Sequence, residues 1–198
     1  MAKLTRQDLM SLEQYSEQRP DFRQKVIAHK KNRQVAVSEH TTLYFEDQLT
    51  IQYQIQEMLR IERIFETSAI EEELDAYNSL IPDSTNFKAT FMIEYEDEAE
   101  RKEALTKLLG VEDKVWVQVD GFDKVWAIAD EDMDRENDVK TSAVHFLRFE
   151  LDESMIAAAK EGADINVGID HPNCCHSVEP IEKNIRDSLV NDLSQALH

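Results

Sequence analysis

The chain has little cysteine, glycine or proline: of its 198 residues two are cysteine, four glycine and four proline. Two adjacent cysteines cannot build a disulfide framework, which points to a reducing compartment. With 41% hydrophobic and 32% charged residues, so few chain breakers exclude a disordered or low-complexity sequence and favour a helix-rich folded one. No apolar run approaches the roughly 20 residues that a membrane span needs. The opening Met1-Ala2-Lys3-Leu4-Thr5-Arg6 carries no apolar signal core either, so the expectation is a soluble cytoplasmic protein without a membrane partner. Phosphate-loop, dinucleotide, nucleophile-elbow and Cys-x-x-Cys motifs are all missing, which leaves nucleotide-driven, serine-hydrolase and thioredoxin-type chemistry without support. A chain of this length can bury roughly 70% of its unfolded surface with no covalent staple.

Positive charge is scarce as well, and unevenly placed. The formal net charge is −19, yet the first forty residues hold eight basic against five acidic side chains. Between Phe22 and Ser38 lie Arg23, Lys25, His29, Lys30, Lys31 and Arg33 with no acid among them. The acidic balance repels phosphate backbones, which argues against a nucleic-acid partner. Screening over about 8 Å at physiological salt still lets a local basic patch act for itself. The island either docks on the chain's own acids or waits for an anion. His29, Lys30, Lys31, Arg33 and, on a later helix, Arg60 form the candidate anion- or partner-binding set.

The pattern of elements predicts an α+β fold, a helical N-terminal half packed on a mostly antiparallel sheet of about five to seven strands. The expectation is a single domain over residues 1–198, with 1–82 mainly helical around a small hairpin and 83–198 a sheet with helices. Thr5 and Asp8 suit a capping box opening a helix that runs to about Glu17, and Pro20 suits the first turn of a second helix with Phe22, Val26 and Ile27 inward. Gln34 to Ser38 and Thr42 to Glu46 alternate as a hairpin. Asp47 to Glu66 is the longest helical pattern, apolar around most of its circumference and therefore expected to be covered on two sides. A helix over Ala69 to about Ser79 follows. Strands are expected over 89–95, 115–119, 125–129, 144–151 and 165–169, with a turn at Asp120-Gly121 between the two tryptophan strands. Helices fit 97–109, 152–161 and 181–193.

With these segments placed, several strings resemble one bacterial family. They are Asp8-Leu9-Met10-Ser11-Leu12-Glu13, His29-Lys30-Lys31-Asn32-Arg33, Gln56 to Phe65, Glu73-Leu74-Asp75-Ala76-Tyr77-Asn78, Ser142 to Glu150 and Asp170-His171-Pro172. Together they are similar to the proteins grouped as domain of unknown function 3501, over nearly the whole chain. The resemblance implies a setting rather than a reaction, because genes of that family often stand beside a rubrerythrin and an iron–sulfur protein similar to heterodisulfide reductase subunits. Iron–sulfur or rubrerythrin-type redox proteins are therefore the expected partners, and the wide apolar helix leaves a homodimer open. The Cys174-Cys175 pair is outside the resembling pattern.

Candidate chemistry rests on polar groups in apolar company. Glu62 falls at the angle of Ile51, Ile55 and Met58 on the long helix, and Glu57 between Tyr53, Ile61 and Ile64; carboxylates there must be paired or protonated. A general acid or base is one reading, an ion pair with island arginines the other. The two lie about 140° apart around the helix, and no Glu-x-x-His occurs, so a rubrerythrin-like di-iron site is excluded. His145 sits among Ala143, Leu147 and Phe149, either as a satisfied core residue or as an acid/base group paired functionally with Glu62. His171 and Cys174 have the spacing of half a zinc knuckle, which would make them metal ligands. Asp130 to Asp138 imitates a calcium loop, but Arg135 replaces the needed glycine and Thr141 the bidentate glutamate, so a solvated acidic turn is expected. Three functions remain: an accessory binding component of a redox or iron–sulfur system, a small enzyme using Glu62 and His145 on an anionic substrate, and a purely structural role for the island.

Overall fold

Alternation of apolar and polar residues makes the strands, and side-chain caps start the helices. The computed structural model describes residues 3–129, 131 and 140–194. In chain order the elements are α1 (Leu12–Lys30), β1 (Gln34–Ser38), β2 (Thr41–Phe45), α2 (Gln48–Glu62), α3 (Thr67–Asn78), β3 (Asn86–Ile93) and α4 (Glu98–Lys107). They continue with β4 (Val115–Val119), β5 (Val125–Trp126), β6 (Ile128–Ala129), β7 (Val144–Glu150), α5 (Glu153–Glu161), β8 (Ile165–His171), β9 (Cys174–Val178) and α6 (Lys183–Val190). The α+β class is as expected. The strands, however, form two antiparallel sheets, β1-β2-β3-β7-β6 and β5-β4-β8-β9. The calcium-loop-like stretch lies outside the described residues apart from Glu131.

Each sheet buries one face against the other. Leu43, Phe45, Phe87, Phe91, Leu147 and Phe149 of the first sheet share a core with Val115, Val117, Val119, Ile165, Val167 and Ile169 of the second. The expected strand 125–129 is split between the sheets: Val125 pairs with Val117 on β4, whereas Ala129 pairs with Leu147 on β7. Two-residue strands have no period to detect. Strand β8 also runs past Ile169 to His171 and turns at Pro172-Asn173 into β9, which the sequence reading missed because Cys175, His176 and Ser177 are exposed. On β4 the buried Trp116 faces Gly168 across the ladder. A Cβ at Gly168 would stand 2.3 Å from Trp116 Cζ2, so the indole occupies the space that only glycine leaves open.

The first three helices and the N-terminal segment have a core of their own, built on Leu4, Ile51, Ile55, Leu59, Ile70, Leu74 and Ile81. Two buried amides hold the N-terminal backbone to it. Asn78 accepts from Leu4 N (2.8 Å) and donates to Leu4 O (2.9 Å), while Gln56 accepts from Met10 N (2.6 Å). Helix starts differ from expectation. The Thr5–Asp8 box closes only a 3-10 turn over Arg6–Asp8, and Ser11 with Gln14 forms the box that opens α1. Helix α1 then runs unbroken through Pro20. An interior proline costs roughly 3 kcal/mol, and here the carbonyl that loses its partner belongs to Ser16, an exposed residue. Ile27 is exposed rather than inward. Helix α2 packs against both α1 and α3, but it stops at Glu62 because Arg63 takes the left-handed conformation (φ 55°), and Ile61 and Phe65 at and beyond its end remain 66% and 71% exposed.

Substituting Gly168→Ala should cost about 1–3 kcal/mol through overpacking, read as a lowered urea midpoint followed by tryptophan fluorescence.

Candidate functional site

Part of the basic island is turned inward. Arg33 is 2% exposed. Its Nε donates to Phe45 O (3.0 Å), its Nη2 to Glu46 O (3.0 Å) and its Nη1 to Ser188 Oγ (3.3 Å), and both terminal nitrogens bond the Asp192 carboxylate. His29 Nε2 lies 2.5 Å from Asp47 Oδ2, which is also 3.4 Å from Arg33 Nε. Lys30 Nζ sits 5.9 Å from the Tyr53 ring centroid. Lys31, Arg23, Lys25 and Arg60 are exposed. Two of them, His29 and Arg33, are consumed as structural partners of Asp47 and Asp192.

Glu57 is paired, but with an arginine outside the island. Arg19 grips it from Nε (2.7 Å) and Nη2 (2.8 Å), and Tyr15 Oη donates to it at 2.6 Å. The Arg19 hydrogen bonds hold its carboxyl down at about 2. Glu62, expected to be buried, is exposed in the last turn of α2. His145 is 0% exposed on the inner face of β7. Its Nε2 bonds Ser142 O (3.1 Å) and Thr141 Oγ1 (2.8 Å), whose hydroxyl donates to buried Glu112 at 3.1 Å. Because the carbonyl can only accept, the proton is on Nε2. Helix α2 lies over the opposite face of the sheet, so Glu62 and His145 do not meet over one substrate.

The half zinc knuckle dissolves into a hairpin. His171 and Cys174 are cross-strand partners flanking the β8–β9 turn. His171 donates from Nε2 to Leu109 O (3.1 Å) and accepts at Nδ1 from Asn173 N (3.2 Å), so neither ring nitrogen is open to a metal. The Cys174 thiol is buried, which pushes its pKa up, and hydrogen-bonds the Ser38 and Thr41 hydroxyls. Among the described residues no three His, Cys, Asp or Glu side chains are grouped to hold a metal ion, and no helix is long and apolar enough to cross a membrane.

What the fold does assemble is a cleft of about 540 Å³ between helices α2–α3 and the outer face of the first sheet. One stripe of α3 enters it, Glu73, Ala76 and Tyr77 at the i, i+3, i+4 spacing of a single helix face, and Leu80 just past the helix end continues the lining. Met58 of α2, Phe146 of β7 and Ile128 of β6 supply apolar walls. The charges around it are mostly spent. Lys88 donates to Ser79 O (2.8 Å) and pairs with Asp83 (2.8 Å). Arg148 makes a bidentate pair with Glu131 (2.8 Å twice) and a second with Glu150 (2.6 Å), holding Glu131 below the usual carboxylate range. Glu46 accepts from the Thr50 (2.6 Å) and Thr90 (2.7 Å) hydroxyls. Glu73 is half-buried and makes no hydrogen bond or ion pair with a described residue; burial first, then Glu62 and Glu72, push its pKa up. The Tyr77 hydroxyl is likewise without a described partner. Sequence reasoning missed Glu73 and Tyr77, although an acid and a tyrosine four apart on one face, framed by Ala76 and Leu80, was the available signal.

Comparison with known proteins gives a family and a fold without naming a reaction. A family model described as a protein of unknown function, DUF3501, matches residues 3–193. A crystal structure of a protein of unknown function from Burkholderia pseudomallei K96243 is similar at 49% identity and a TM-score of 0.92, covering 98% of this chain and 100% of that one. No curated protein matches.

Removing one side of the buried clasp by Asp192→Ala should cost about 3–5 kcal/mol in urea unfolding, because it leaves a buried guanidinium undercompensated. Glu57→Gln should cost about 1 kcal/mol near neutral pH. Since the carboxyl is depressed to about 2, that stabilisation is complete above the ordinary value of 4.5 and lost as pH falls toward 2. Unfolding curves of both proteins should therefore converge on acidification.

Proposed function

The chain belongs to the DUF3501 family, and on that footing we propose that it is an accessory binding component of a bacterial redox or iron–sulfur system that acts through the cleft between α2–α3 and the first sheet. The observation that carries the reading is the cleft itself. Its volume of about 540 Å³ falls in the range of small-molecule sites, and an apolar floor with a few unsatisfied polar groups is their usual composition. A binding role is favoured over the enzyme reading because Glu62 and His145 stand on opposite sides of the sheet, and because His145, Thr141 and Glu112 are closed on one another. The redox setting is supported by the gene neighbours that the family resemblance implies, a rubrerythrin and an iron–sulfur protein.

Filling the cleft tests the reading. Ala76 is exposed and lines the cleft, so Ala76→Trp should leave the melting temperature within about 2 °C while abolishing hits from a small-molecule thermal-shift screen confirmed by ligand-observed NMR. Hits that survive Ala76→Trp place binding elsewhere and defeat the cleft. The redox setting is checked separately, by mixing the purified protein with a purified rubrerythrin and its iron–sulfur neighbour; absence of a complex with either removes that part of the proposal.

A further inference from the structure

We infer that the cleft takes a small amphipathic cation, an amine or guanidine carried on an apolar body. The inference rests on the cleft being the binding site and identifies what the site is complementary to. Four carboxylates line the cleft, those of Glu46, Glu73, Asp75 and Glu131, against two cations, Lys88 and Arg148. Both cations are already held by protein acceptors, Lys88 by Asp83 and Ser79 O, Arg148 by Glu131 and Glu150. Among the described residues an anionic ligand therefore finds no uncommitted cation and would have to break an existing pair to gain one, the Tyr77 hydroxyl being the one neutral donor left to it. Glu46 is spent on two threonine hydroxyls, and Asp75 is exposed and solvated.

Glu73 is the exception. It is drawn partly out of water, its charged neighbours Glu62 and Glu72 are both anions, and no described cation compensates it. A ligand ammonium or guanidinium seated against Glu73 supplies the missing charge and makes charge-assisted hydrogen bonds. The Tyr77 hydroxyl, one turn further along the same face, adds an acceptor for a second N–H. Beyond the two polar groups, Met58, Leu80, Ile128 and Phe146 offer surface for a hydrocarbon or aromatic body. The field of a chain with a formal net charge of −19 raises the local concentration of cations and lowers that of anions.

Three probes of one shape separate the terms: phenylbutylamine, phenylbutanol and phenylbutanoate, titrated by NMR into the full-length protein, into Glu73→Gln and into Ala76→Trp, with circular dichroism to verify folding. The amine should bind wild type about tenfold or more tightly than the alcohol, with the carboxylate weakest. That preference should vanish in Glu73→Gln while the alcohol is unaffected, and all binding should vanish in Ala76→Trp. If the alcohol or the carboxylate binds as well as the amine, or if Glu73→Gln leaves the amine unchanged, the cation assignment fails and the cleft reading stands. If no probe binds wild type, or if binding ignores Ala76→Trp, the cation assignment and the cleft reading fail together.

Discussion

A single buried guanidinium ties the first hairpin to the C-terminal helix, which also share one apolar core. Arg33 follows α1 and precedes β1; its donors reach the carbonyls closing β2, the last turn of α6 and the Asp192 carboxylate beyond it. The use of arginine has a geometric cause. Nε, Nη1 and Nη2 all donate, in a planar fork that a lysine ammonium cannot imitate. Helix α6 carries no basic residue in its own last turn, so Arg33 provides from elsewhere in the chain the positive charge that a helix C-terminus favours. Burying such a charge is costly unless every donor is matched, and here the matching groups come from the N-terminal hairpin and the C-terminal helix at once.

Asp47 extends this clasp into the helical layer. One carboxylate oxygen caps α2 through Thr50 N (2.9 Å), and the other faces His29 and Arg33. The end of α1 and the start of α2 are thereby fixed at one corner of the first sheet. Two further ties, Glu46 to Thr90 and Lys88 to Ser79 O, fasten the same layer to β3. The helical layer keeps its own apolar core, separate from the one between the sheets. Anchored by polar ties rather than by a shared apolar seam, α2 and α3 stand off the outer sheet face, and the cleft is the space between the anchors.

Much of this was legible in the sequence where a period repeats. Strands β1, β2, β4 and β7 lie where alternation placed them, and Asp47 begins α2 as the pattern indicated. Short or polar segments were not legible: β5 and β6 have two residues each, and β9 shows its polar face to solvent. The basic island misled for a more instructive reason. Counted as charges, its members look alike; counted by strand parity, Arg33 shares the inward face of Val35 and Val37, just as His171 shares that of Ile165, Val167 and Ile169. Glu57 was recognised as a carboxylate in need of a partner, but its arginine came from α1 outside the island, since nothing in one sequence specifies which turn of a neighbouring helix will face it.

Internal use of the island changes what the remaining charges mean. Arg33 and His29 serve Asp47 and Asp192, Arg19 serves Glu57, and Lys88 and Arg148 serve Asp83, Glu131 and Glu150, so the two cations that line the cleft are already engaged. Glu73 is tolerated in the unliganded protein because it is only half-buried and water still reaches its oxygens. A ligand that fills the cleft displaces that water, and must return the lost hydrogen bonds or leave the carboxyl unsatisfied. A purely hydrocarbon ligand cannot do so, and an anion adds repulsion to the deficit. The apolar floor thus favours occupancy in general, while the one uncompensated carboxyl decides the charge of the occupant.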